Sequence, residues 1–182
     1  PGTSDERAHG LVMLYPAGDN NLTEEMVLSL QELIAEGAAE GDSILAQLDP
    51  SGVGLSTARF DLAPRPSAAQ DGQPQAASSV LEKALSKFRE EEVAEVNTGS
   101  IAALRDFIVW SVRRDRSRRL DAGHNPVLTK YLLILSGHGS GVTDDFFLKD
   151  ETSQDSLGIT ELPKALNEAR GALRKEYGDE KK

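Results

Sequence analysis

The chain has 182 residues and a mass of 19.6 kDa, with 38% hydrophobic and 27% charged residues, a balance that suits one soluble globular domain and excludes a disordered tail. No apolar run approaches the roughly 18 to 20 residues that cross a bilayer. The start, Pro1-Gly2-Thr3-Ser4-Asp5-Glu6-Arg7, has neither an initiator Met nor the apolar stretch of a signal peptide, so the expectation is a soluble mature or excised piece with no membrane partner. Thirty acidic against twenty basic residues leave a net charge of -10, which repels phosphate backbones and argues against nucleic acid as a partner. The absence of Cys removes disulfides, thiolate metal sites and any cysteine nucleophile from this chain, and leaves the compartment open.

In chain order, Gly10 to Pro16 is a nearly continuous apolar run that predicts a strand buried on both faces of a parallel sheet. After the loop Ala17-Gly18-Asp19-Asn20, Asn21 and Glu24 form a capping-box pattern, and Leu22, Met26, Leu30, Leu33 and Ile34 predict a helix to about Ala39. Ser43 to Asp49 predicts a second strand, which completes a parallel crossover unit. Residues 63–79 are rich in Pro, Ala, Ser and Gln with little to bury, the composition of a flexible surface excursion. Val80 to Val93 has moderate helical character. Ser100 then opens a stronger helix with the apolar face Ile101, Leu104, Phe107, Ile108 and Val112, and Trp110 beside it. Its end carries Arg113, Arg114, Arg116, Arg118 and Arg119, expected as a solvated helix end that complements the dipole, or else a docking patch for an acidic partner. Tyr131 to Ser136 is the most apolar run and is expected to be the central strand. A loop with Phe146, Phe147 and Leu148, an acidic turn from Asp150 to Gly158, and a helix from Thr160 to about Lys175 follow.

Ligands of open parallel sheets bind beyond the carboxyl ends of the strands. Three loops reach that edge here, carrying Asp19, Asn20 and Asn21, then Asp49, then His138 among glycines. A histidine flanked by Gly137 and Gly139 has no crowding neighbours, and its backbone can approach a substrate closely, so His138 is the candidate base. His9, His124 and His138 form no zinc-ligand spacing. The acidic residues Asp144, Asp145, Asp150, Glu151 and Asp155 could hold calcium but lack the order of a calcium loop. Asp19 with Asp49 can be forced into the mould of a receiver-like phosphoacceptor that binds magnesium, but the long excursion and the HG loop argue against it. Nucleotide-loop patterns are absent, and neither Ser136 nor Ser140 sits in a hydrolase elbow.

Four segments resemble the clostripain family of cysteine peptidases, which shares the caspase-like fold with caspases and gingipains. They are Leu14 to Leu22 with its AGDNNL turn, Gln47-Leu48-Asp49, Asn97 to Ser100 with Leu104, Asp106, Phe107 and Trp110, and the strand and HG loop from Lys130 to Gly141. Phe147 to Asp150 and Leu157 to Leu166 continue the likeness, while Ser100 stands where the family usually has Asp. The resemblance implies an α/β caspase-like three-layer αβα sandwich with a mostly parallel central sheet. Residues 1–182 would be the N-terminal portion of one peptidase domain.

By that resemblance His138 is the catalytic histidine, and Gly137 and Gly139 support the loop and the oxyanion. Asp19, Asn20, Asn21 and Asp49 are candidates for shaping the cleft or orienting the base; the residue pattern alone equally makes Asn21 a helix cap. The family's nucleophile lies in a D-x-C motif on the strand expected after the last helix, and the sequence stops at Lys182 before it. The resemblance therefore implies a cysteine endopeptidase cleaving after Arg or Lys, matured from a zymogen by internal cleavage, with Lys182 a candidate processing site. A peptide or protein would be its substrate. Its further partners would be a C-terminal Cys-bearing segment and an activating protease. No cofactor is required, although calcium is open by resemblance. The alternatives are a non-catalytic caspase-like interaction or regulatory domain, and the receiver-like phosphoacceptor.

Overall fold

The computed structural model describes residues 9–51, 56–62, 89–123, 129–140 and 146–178, with residues 89–92 described by their backbone alone. In chain order the elements are β1 (His9–Gly18), α1 (Thr23–Glu36), β2 (Ser43–Pro50), β3 (Ala58–Asp61), β4 (Arg89–Glu92), α2 (Ile101–Asp121), β5 (Thr129–Ser136), β6 (Phe146–Asp150), β7 (Asp155–Gly158) and α3 (Leu162–Tyr177). The excursion at 63–79, Asp144, Asp145 and Lys182 lie outside the described residues.

A five-stranded sheet runs in the order β4-β3-β2-β1-β5. β1 is parallel to both of its neighbours, with Leu11 opposite Ser43 on β2 and Tyr131 on β5. β3 lies antiparallel on β2, and β4 antiparallel on β3. Period-two alternation sorts β1 between two layers. Leu11, Met13, Tyr15 and Ala17 pack with Leu104, Phe107, Ile108 and Val112 of α2 and with Ala165 and Ala169 of α3. On the opposite face, Leu14 joins Ala46 and Leu48 of β2 against Met26, Val27 and Leu30 of α1. The result is the expected α/β three-layer sandwich. Tyr15 and Phe107 meet at its centre with ring centroids 5.3 Å apart, a tilted geometry that suits the ring quadrupoles.

Helix ends follow local chemistry. Ser100 caps α2, its hydroxyl accepting from the Ala103 N–H, and Pro163 sits in the first turn of α3, where its missing N–H leaves nothing unpaired. The expected cap at Asn21 is corrected. The N-cap of α1 is Leu22, which makes no side-chain cap bond. Asn20 Oδ1 instead accepts from the Leu22 N–H at 2.9 Å, and the Thr23 hydroxyl donates to the Gly18 and Asn20 carbonyls, so the turn closes one residue earlier and frees the Asn21 side chain.

Four further expectations change. β5 is an edge strand rather than the central one: Tyr131, Leu132 and Ile134 are 55%, 54% and 40% exposed, because β1 fills one side and no described strand lies on the other. Residues 89–92 are strand, not helix, since pairing with β3 overrides their local preference. Phe146 to Gly158 is a β-hairpin rather than a loop and turn. The arginine run is built into the fold instead of being a solvated helix end. Arg119 is buried, paired with Asp115 at 2.8 Å and donating to the carbonyls of Gly41 and Gly10. Arg118 reaches Ser43 and Asp61, and Arg113 pairs with Glu176 of α3. Among the described residues no helix is long and apolar enough to cross a membrane.

Candidate active site

Strand register alone gathers the loops that carry the candidate residues. Gly18 lies opposite Pro50 and Pro16 opposite Ser136, so the chain leaves β1, β2 and β5 at one edge of the sheet, where ligands of parallel sheets bind. At that edge His138 Nε2 lies 2.5 Å from Asn21 Oδ1. With this oxygen as acceptor, Nε2 is the donor of the contact and Nδ1 is the ring nitrogen left for other chemistry. The pair opens onto a cleft of about 230 Å³ lined by Asn21, His138, Gly139, Phe146, Lys149 and Glu151.

The glycines beside His138 serve a close approach to β6. A Cβ on Gly137 would stand 3.0 Å from Leu148 Cδ2 and 3.3 Å from Ala17 Cβ, and one on Gly139 would stand 3.3 Å from the Phe146 carbonyl oxygen. The loop is further pinned by the Ser140 N–H donating to that carbonyl at 3.0 Å. β6 thereby forms one wall, and its Lys149 Nζ pairs with Glu151 at 3.0 Å in the cleft. Sequence reading did not single out Phe146 and Lys149 as cleft residues, and it placed Glu151 only in an acidic turn. The sole signal was the alternation of residues 146–150, which marks a strand once the hairpin is known.

The remaining candidates part company with His138. Asn20 is buried; its amide donates to the carbonyls of Ala17 and Lys149, so it ties the first loop to β6. Asp19 and Asp49 are 1% and 0% exposed, so both lie beneath the surface rather than on the cleft lining. Asp19 Oδ2 accepts from the Thr152 N–H at 2.7 Å, and Asp49 Oδ1 accepts from the Thr57 hydroxyl at 2.6 Å. Burial lifts the Asp49 pKa to about 7; the Thr57 hydrogen bond opposes this, and the charges of Glu95, Asp150 and Asp19 add to it. Burial, then Asp19 and Asp150, raise Glu95 as well. A phosphoacceptor carboxylate has to meet its phosphodonor in line, and a carboxylate this buried offers no such approach.

No protein-family model matches the sequence, and no curated protein matches it. Solved structures do match. A secreted C11 cysteine protease from Bacteroides thetaiotaomicron, iotapain, superposes with a TM-score of 0.53 at 14% identity, over 90% of this chain and 43% of its own. A structure of a secreted C11 cysteine protease from the same organism, in complex with an irreversible peptide inhibitor, superposes with a TM-score of 0.51 at 14% identity, over 87% of this chain and 39% of its own. The fold is that of the C11 cysteine proteases. The chain spans less than half the length of these two proteins.

Proposed function

We propose that this chain is the histidine-bearing part of a clostripain-type cysteine endopeptidase, completed by a Cys-bearing segment of the same protein that pairs along the free edge of β5. The observation that carries the reading is the Asn21–His138 pair at the carboxyl end of β5, in a strand whose outer side shows Tyr131, Leu132 and Ile134 to solvent. Apolar side chains on a strand with no described neighbour on one side invite another strand.

In this mechanism a thiolate from the added segment attacks the scissile carbonyl carbon, and its electron pair moves onto the oxygen. The oxyanion is stabilised by backbone N–H groups of the loop around Gly139. His138, which has taken the thiol's proton on Nδ1, delivers it to the departing amine as the C–N bond breaks, leaving a thioester. It then takes a proton from water, which attacks the thioester and releases the acid and the thiolate, restoring the thiolate beside the protonated ring. Asn21 holds the ring at the angle both transfers need. Cleavage after Arg or Lys, and activation by cleavage near Lys182, complete the reading.

The test is turnover of Arg and Lys peptide substrates by the full-length protein and its His138→Ala variant. A loss of at least about 100-fold with unchanged folding is expected, and unchanged turnover refutes the assignment. The absence of cysteine from all 182 residues favours a second reading, a non-catalytic interaction or regulatory domain. Intact-mass analysis of the natural gene product separates the two: a Cys-bearing companion supports the peptidase, and its absence supports the binding domain.

A further inference from the structure

The Lys149–Glu151 pair has no part in the steps assigned to His138, yet it stands in the same cleft. Lys149 Nζ donates to Glu151 Oε1 at 3.0 Å, and the two side chains are 45% and 49% exposed. Both line the cavity of about 230 Å³ that His138, Gly139 and Phe146 also line. The two partners are unequal. The Glu151 N–H donates to the Asp19 carbonyl at 2.9 Å, and the Thr152 N–H donates to Asp19 Oδ2 at 2.7 Å, so the carboxylate is carried by backbone fixed to the first loop. Lys149 carries its ammonium on a flexible four-carbon stem, and an ion pair this exposed is weakly held. The carboxylate is the fixed half of the pair, and the ammonium is the displaceable half.

The wall that bears the pair is tied to the β1 side of His138, where Asn20 Nδ2 donates to the Lys149 carbonyl at 3.1 Å, while the other side of β5 has no described strand. A nucleophile supplied from that open side approaches His138 across the ring from the wall. The departing amine must reach the same imidazole, which lays the half of the substrate beyond the scissile nitrogen along the wall. We propose that Glu151 selects a cationic side chain, Lys or Arg, at the residue immediately after the scissile bond, and that Lys149 is a built-in occupant which the substrate displaces. An ammonium seated on Glu151 inside the cleft is the kind of partner a substrate lysine would be. The net charge of -10 adds a field that draws cations and repels anions. The proposal rests on the peptidase reading, and it narrows the substrate to chains with basic residues on both sides of the cut bond.

The experiment is kcat/KM of the full-length protein on internally quenched peptides that carry Arg before the bond and Lys, Ala or Glu after it, with the cut position fixed by mass spectrometry. The parent should prefer Lys to Ala at least about 3-fold and should cleave the Glu peptide slowest. Glu151→Gln should bring the Lys-to-Ala ratio to about one. Lys149→Met should instead raise it at least about 3-fold, because the carboxylate loses its internal occupant. A general loss of structure cannot move one ratio in opposite directions, and either variant alone decides the matter if the other does not fold. A parent that turns over Lys and Ala peptides equally, a ratio unmoved by the substitutions, or an altered preference confined to the residue before the bond overturns the subsite and leaves the peptidase standing. No turnover of any peptide by the parent overturns the peptidase reading and the subsite with it.

Discussion

β1 and β5 are neighbours of nearly equal apolar character with opposite fates. Leu11, Met13, Tyr15 and Ala17 of β1 are at most 4% exposed, whereas Tyr131, Leu132 and Ile134 of β5 are 40% exposed or more. Composition does not separate them. β1 has a parallel partner on each side and helices over both faces, while among the described residues β5 has β1 alone as a neighbour and covers its Leu133 and Leu135 against the α2 and α3 layer. Burial of a strand is thus a property of its neighbours, and an apolar strand left open is a surface for another chain segment.

The contrast can be broken by truncation. Leu11→Ala should cost about 2 to 5 kcal/mol in denaturant unfolding, and a cost equal to that of Leu132→Ala would show that the two strands are packed alike. At the edge that both strands share, the chain should show the buried Asp49 in its pH profile. Its pKa rises from an unfolded value near 3.8 to about 7 in the folded state, so between those values the folded chain holds a proton that the unfolded chain has released. This contribution to stability is fully present below about pH 4 and is lost as pH rises through 7. Asp49→Asn should flatten that part of the profile, measured by the chemical-unfolding midpoint at each pH.

Smaller effects sharpen the comparison where the two strands touch through side chains. In an active full-length protein, Asn21→Ala should lower kcat about 10-fold with little change in KM and should shift the pH dependence of kcat, because the Asn21 side chain hydrogen-bonds His138. A purely structural role would leave the pH profile in place. The smallest effect is at the open strand itself. Leu132→Lys should change the stability of this chain by no more than about 0.5 kcal/mol, yet weaken its association with a Cys-bearing companion, read by co-purification of the two.

Much of the frame was legible beforehand. The cap at Ser100, the apolar stripe from Leu104 to Val112 and the strands at Gly10 and Ser43 follow from spacing that each segment carries within itself. His138 was legible as a strand-end histidine between glycines, but its partner was not. Asn21 followed by Glu24 has the local pattern of a cap, and only the fold puts Asn21 beside a residue from the far side of the chain. The arginine run misled for the same reason. Arg119 has the chemistry of a solvated helix end, and its buried place against the Gly10 and Gly41 carbonyls depends on how α2 lies across the sheet.

The amino-acid sequence by itself determined the alternation of strand and helix, the glycine-flanked histidine, and the absence of any thiol to serve as nucleophile in this chain, because periodicity, capping and residue chemistry act over a few neighbouring positions. The tertiary structure alone decided which strand lies open, which carboxylates are buried together and which amide meets His138. Those outcomes depend on residues distant in the chain meeting at one edge of the sheet, where register and burial, not local pattern, set the energy.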